Sequence, residues 1–167
     1  MRSAIWVLNI FALIWSAAPI AILGWPAGLF VIPFTIACLI AIWSGRHVEW
    51  PRKDSEQAAA WKSVLLWSGI EVAAILVAAV LLVRLDAPEA VMPAVAIIVG
   101  LHFLPLASSI GVPLYRATAA GLVAVGTIAL FLPFAARPPM IGFGAAAILW
   151  SSCAVMIGRG RVARTAR

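Results

Sequence analysis

The sequence predicts an all-α, polytopic integral membrane protein: one six-transmembrane-helix bundle with both termini cytoplasmic. Three observations predict it. Of 167 residues, 65% are hydrophobic and 11% charged, against roughly 45–50% and about 25% in a soluble domain. Six apolar runs each approach the roughly 20 residues needed to cross a hydrocarbon core about 30 Å thick. Lys and Arg concentrate on alternate connections between those runs, the asymmetry that marks a cytoplasmic face. A soluble fold of this size could not hide so much apolar surface, because its surface-to-volume ratio forces many positions outward. Residues 1–167 are therefore expected to form a single membrane domain.

The first span is read at 4–23. Arg2, an apolar stretch and Ser16-Ala17-Ala18 have the outline of a signal peptide. Pro19, directly after the expected cut, should block cleavage, and the apolar run continues to Leu23, so the segment is kept as a helix. Gly24-Trp25-Pro26 is an uncharged tight turn into the second span, 26–44. A cytoplasmic loop follows over about 46–60, with Pro51 and then Asp54-Ser55-Glu56-Gln57. Asp54 is placed to cap the next helix, with Gln57 in the reciprocal position of a capping box. The third helix should therefore start near Ser55, ahead of its span at 62–84. Running to Leu85 it would be roughly 45 Å long, so it protrudes or tilts.

Asp86-Ala87-Pro88-Glu89 separates the third span from the fourth, 91–111. The stretch from Gly111 to Arg116, with Pro113 inside it, leads to the fifth, 117–135. Arg137-Pro138-Pro139 opens the sixth, 140–158, where prolines suit a helix start because their missing N–H is not needed. Ten of the twelve Lys and Arg then lie on one side of the membrane; only Arg84 and Arg137 lie on the other. That side is read as cytoplasmic, and an even number of spans returns both ends to it. Trp6, Trp43, Trp50, Trp61 and Tyr115 cluster at the expected inner interface and Trp25 marks the outer one, while Trp15, Trp67 and Trp150 sit deeper and are expected to pack.

A net charge of +6 would invite a nucleic-acid reading in a soluble protein. Here the arginines punctuate apolar runs, so the anionic partner expected is the headgroup layer of the bilayer at the cytoplasmic face, and no nucleic acid. The basic tail Arg159–Arg167 is read the same way. The stretch His47 to Lys62 mixes both signs and reads as a solvated face, with partner docking as the alternative; His47 has no spacing partner. Cys38 and Cys153 lie inside apolar runs without metal-ligand spacing and are read as small hydrophobes. Three spans followed by three would meet the formal requirement of an inverted repeat, but 1–85 and 91–161 share little beyond scattered prolines. Ala117, Gly121 and Gly126 thin one side of the fifth helix, and Gly142, Ala146 and Ala147 the sixth. Such spacing lets backbones approach, within the bundle or in a homo-oligomer seam.

Two titratable residues fall deep inside apolar runs: Glu71 and His102. Glu71 lies nine residues past Lys62, hence roughly 13 Å into the membrane. A carboxyl group at that depth should be neutral, paired or facing water. Reflecting Glu71 through the turn between Ala87 and Pro88 gives position 104, two residues from His102, an axial offset of about 3 Å. The two can share a depth; helix rotation, which decides whether they share a face, cannot be read. Pro105 removes a backbone donor, is expected to kink its helix and frees the carbonyl of Leu101. His102, Ser108, Ser109 or water could satisfy that carbonyl, and Asn9, Ser68 and Thr127 could add hydrogen bonds if they face inward.

The pair supports two readings. One is a polar proton-binding or solute-coordinating site with Glu71 as acceptor and His102 as partner. The other is a buried bridge that sets the register of two helices. Two ligands are too few for a metal site. The chain has no paired-histidine zinc motif, Gly-x-Ser-x-Gly, phosphate loop or Cys-x-x-Cys, and Asp54 and Asp86 are interfacial. No catalytic residue and no cofactor are expected, and the protein is read as not an enzyme.

The octet Gly100-Leu101-His102-Phe103-Leu104-Pro105-Leu106-Ala107 resembles a Gly-x-His-Phe-x-Pro-Leu-Ala signature of small, uncharacterised bacterial multipass membrane proteins grouped as domains of unknown function. The resemblance covers those eight residues with a similar length and span count. It implies a bacterial inner-membrane protein whose fourth helix matters, and transfers no substrate or catalytic role. The function expected is small-solute or proton-linked transport, or sensing, through Glu71 and His102; the alternative is a structural or interaction protein in which the pair only fixes packing.

Overall fold

The structure, a computed structural model, describes residues 2–47 and 55–165, with no strand among them. Six helices follow in order: α1 (Arg2–Ile22), α2 (Val31–His47), α3 (Ser55–Arg84), α4 (Val91–Ser109), α5 (Leu114–Leu130) and α6 (Arg137–Thr165). Five stretches are long and apolar enough to cross a membrane: Ala4–Ile22, Ala27–Gly45, Lys62–Arg84, Pro88–Ser109 and Phe134–Arg159. The helix α5 has 17 residues, about 25 Å at its helical rise, and is the short one. Residues 48–54, with Trp50 and the capping Asp54, lie outside the described residues. So do the side chains of Arg2, His47, Gln57 and Trp61 and of the tail beyond Arg159.

Turn chemistry decides where the helices end. After α1, Gly24 adopts φ +63° while Trp25 N–H donates to the Ile20 carbonyl at 3.0 Å, the bond pattern of a left-handed helix cap. The same pattern closes α3, where Asp86 holds φ 55° and Ala87 N–H reaches the Leu82 carbonyl at 2.9 Å. Short 3₁₀ turns lead into α2, α4 and α6. The fourth helix stops at Ser109, two residues before the expected end, because Gly111 turns at φ +69° and Pro113 starts the next helix. The fifth was expected at 117–135 and lies at Leu114–Leu130. Pro133 is the reason: it biases the preceding residue away from helical geometry, and a 3₁₀ turn, Phe134–Ala136, takes over. The sixth begins at Arg137, ahead of its two prolines, and α3 begins at Ser55.

The chain divides into two compact units, Met1–Arg52 with Gly142–Arg167, and Lys53–Ile141. This partition does not follow the two halves an inverted repeat would need. In the first unit, buried residues recur every three or four positions along α1 (Ile5, Leu8, Ala12, Trp15, Pro19), α2 (Ala37, Ile40, Ser44) and α6 (Ala145, Leu149, Cys153, Ile157), the period of a helix packed on one face. Gly142 makes the closest approach. A Cβ there would lie 2.5 Å from the Trp15 carbonyl oxygen and from Pro19 Cδ. Pro19 lacks the N–H that would have bonded that carbonyl. Asn9 Nδ2 donates to the Ala37 carbonyl at 2.9 Å, and Trp150 Nε1 donates to Asn9 Oδ1 at 3.0 Å, so one amide ties α1 to α2 and α6. Cys153 Sγ, buried, lies 3.6 Å from the Ile5 carbonyl.

In the second unit α4 packs against both α3 and α5. Two glycines let α4 and α5 close up. A Cβ on Gly100 would meet Val123 N at 2.9 Å, and one on Gly126 would meet the Pro93 carbonyl at 2.8 Å. The α5 face in contact is Tyr115, Ala119, Leu122, Val125 and Ala129 with Gly126. Of the small residues expected there, Ala117 is exposed and Gly121 half-buried; on α6, Ala146 is buried and Ala147 exposed. The helix α3 differs from the rest: no residue of its apolar stretch is fully buried. Trp67, Ser68, Glu71, Ala74, Ile75 and Ala78 form its half-buried stripe.

Candidate functional site

Glu71 sits on that stripe, and His102 projects from α4 at the depth that reflection through the turn implies. Their side chains meet in the second unit, with Nε2 of His102 3.6 Å from Oε2 of Glu71. This is ion-pair range, longer than a hydrogen bond. Both side chains are well covered, with 9% of His102 and 12% of Glu71 exposed. The backbone of Trp67, one turn before Glu71, is a further polar neighbour of the imidazole. On its other edge, Nδ1 is buried without a hydrogen-bond partner among the described residues. Such atoms are uncommon in folded proteins and call for a cause.

The octet 100–107 works on two sides. Gly100 meets α5 at Val123 and Ala119, His102 meets Glu71 on α3, and Phe103 packs edge-on to both His102 and Tyr115. Tyr115, expected at the membrane interface, is instead 4% exposed and forms part of this stack with ring centroids 5.3 Å apart. Sequence reading missed it because an aromatic two residues after a proline turn is equally at home on a lipid-facing or a protein-facing side.

The other expected contributors sit as follows. Ser68 lies on the half-buried stripe three residues before Glu71. Ser108 and Thr127 are exposed. Ser109 donates its hydroxyl to the Pro105 carbonyl at 2.9 Å rather than to that of Leu101. The amide of Asn9 is committed to Ala37 and Trp150 in the first unit. The fourth helix continues through Pro105 to Ser109. Among the described residues no three His, Cys, Asp or Glu side chains are grouped as a metal would need.

A carboxyl group beside an imidazole, both screened from solvent, is a chemical arrangement that can share, accept or release a proton, and its electrostatics are strengthened by the low dielectric around it. The same geometry can also tie two helices together. No known protein family, curated protein or solved structure matches the chain.

Proposed function

We propose that the chain is a multipass protein of a bacterial inner membrane that couples proton or small-solute binding at Glu71 and His102 to transport or sensing. The approach of His102 Nε2 to Glu71 Oε2 at 3.6 Å, between two apolar helices, carries this reading. Ionisable residues at membrane depth are costly and tend to persist where they mark a solute or proton pathway. All six helices cross, α5 at the short end of the usual range, and both termini face the cytoplasm, with anionic headgroups held by the basic residues there. The proposal includes no enzymatic step and no cofactor, extends to the small bacterial family that the octet 100–107 resembles, and allows a homo-oligomer.

The test uses the purified chain in lipid vesicles enclosing a pH-sensitive dye. An imposed pH gradient should collapse faster than in empty vesicles, and Glu71→Gln should slow the collapse at least tenfold, a change of about 1.4 kcal/mol in barrier height, with helix content unchanged. A second reading has its own support: the apolar stretch of α3 has no fully buried residue, so the pair is a specific polar tie between it and α4. If Glu71→Gln conducts like the parent while Glu71→Leu unfolds more easily, the pair is a structural bridge.

A further inference from the structure

We propose that the proton-exchanging atom of this site is His102 Nδ1, and that Glu71 is a positioning residue holding the imidazole in its Nε2–H tautomer; the assignment rests on the proton-linked reading above. The two ring nitrogens have different neighbours. Nε2 faces Glu71 Oε2 at 3.6 Å. Nδ1 has no hydrogen-bond partner among the described residues. In this assignment Glu71 is the ionised partner, and an ionised carboxylate is an acceptor only. Hydrogen therefore belongs on Nε2, and a small closing movement turns the contact into a hydrogen bond.

That leaves Nδ1 with a lone pair. It is buried, in a side chain 9% exposed, with no donor to meet it among the described residues. An unmet lone pair in such surroundings is costly, and a proton or a water molecule is the smallest group that relieves the cost. The titratable groups around the ring are few. Glu71 comes from α3; from α5, Tyr115 reaches Phe103, which stands between it and the imidazole. Pro105 has no N–H to give the Leu101 carbonyl, one residue before His102, so an acceptor for an approaching water lies close in sequence.

The step balances simply. A hydronium ion transfers its proton to the Nδ1 lone pair: an O–H bond breaks, an N–H bond forms and water leaves. The imidazolium keeps its Nε2–H, and the Glu71 carboxylate offsets its charge. Release reverses the step, returning the proton from Nδ1 to water. The role differs from the expectation that Glu71 itself is the acceptor.

Nitrogen NMR on the full chain in lipid vesicles, with ¹⁵N-labelled histidine, tests this. The chain has two histidines, His47 and His102, so a His47→Gln variant assigns the signals. At neutral pH the spectrum should show His102 with hydrogen on Nε2 and a bare Nδ1, and acidification should protonate Nδ1 alone. Glu71→Gln should keep that tautomer, because its amide oxygen still accepts, and slow the flux only through the lost charge that offsets the imidazolium; Glu71→Leu should populate both. Hydrogen on Nδ1 in the parent protein, with Glu71 acting as a neutral donor, overturns the assignment without need of any variant. So does a single Nε2–H tautomer that persists in Glu71→Leu. If proton flux vanishes in His102→Ala while the parent carries hydrogen on Nδ1, this assignment fails and the proton-linked reading stands. Unchanged flux in His102→Ala overturns the reading beneath it.

Discussion

At Arg137 a guanidinium at the head of α6 donates through Nε to the Leu132 carbonyl at 3.0 Å, through Nη2 to Leu130 at 3.3 Å and through Nη1 to Glu89 at 3.4 Å. Two of these carbonyls lie where α5 ends and lack helical donors. Arg137→Ala should lower stability by about 1–3 kcal/mol, read by unfolding in mixed detergent micelles. Arg137→Lys should restore only part of the loss, since one ammonium cannot span three oxygens as the planar fork does. At Asp86 the backbone holds φ 55°, a conformation that favours glycine. Asp86→Gly should therefore raise stability by about 0.5–1 kcal/mol in the same assay. Neither role was legible beforehand. Arg137 is legible as an outer charge at the head of the sixth helix, but not as a cap for the fifth, because side-chain reach to a helix end depends on where that end falls, and Pro133 sets it. Asp86 registered as interfacial charge, because φ is invisible until the cap geometry is known. Glu71 and His102 were legible as a pair at one depth because helical rise is fixed; their shared face and the orphaned Nδ1 were not, because helix rotation follows from packing.

Among the elements, glycine contacts separate helices that touch backbone to backbone from those that do not. Gly142→Ala places a methyl 2.5 Å from the Trp15 carbonyl and should cost about 1–3 kcal/mol through forced separation of α1 and α6. Gly69, in the middle of α3, has nothing within 4 Å of its would-be Cβ. Gly69→Ala should instead stabilise by up to about 1 kcal/mol, from helix propensity alone. Opposite signs in one unfolding assay would check the packing of both helices; equal destabilisation would mean that α3 is covered by something else. Hydropathy made the helices legible, since apolar runs of span length have few alternatives. It could not say which helices touch. Gly126 was read as part of a thin face with Ala117 and Gly121, yet the packed face of α5 runs through Tyr115, Ala119, Leu122 and Gly126. Small size marks where close approach is permitted, and burial of the larger neighbours marks where it happens.

For the whole molecule the number of crossings controls the side on which each end lies. Five helices meet the length for a membrane span, and α5, at 17 residues, decides the parity. Reporter fusions at the two ends should both register the cytoplasm; opposite compartments would mean that α5 does not cross, and the six-span reading would fall. The all-helical class was legible because the apolar runs are of helix-spanning length, about 20 residues each, whereas the grouping of helices was not. The chain divides into one unit of α3 to α5 and one that groups α1 and α2 with α6 from Gly142 onward. That grouping has a consequence in time. Ninety-four residues separate His47 from Gly142, and at about 5–20 residues per second a ribosome needs roughly 5–20 s to supply them. Throughout that interval the Asn9 carboxamide oxygen has no indole to receive, and the groove beside Pro19 stands open. The two early helices must wait for α6, so the unit they share with it closes only once α6 has left the ribosome.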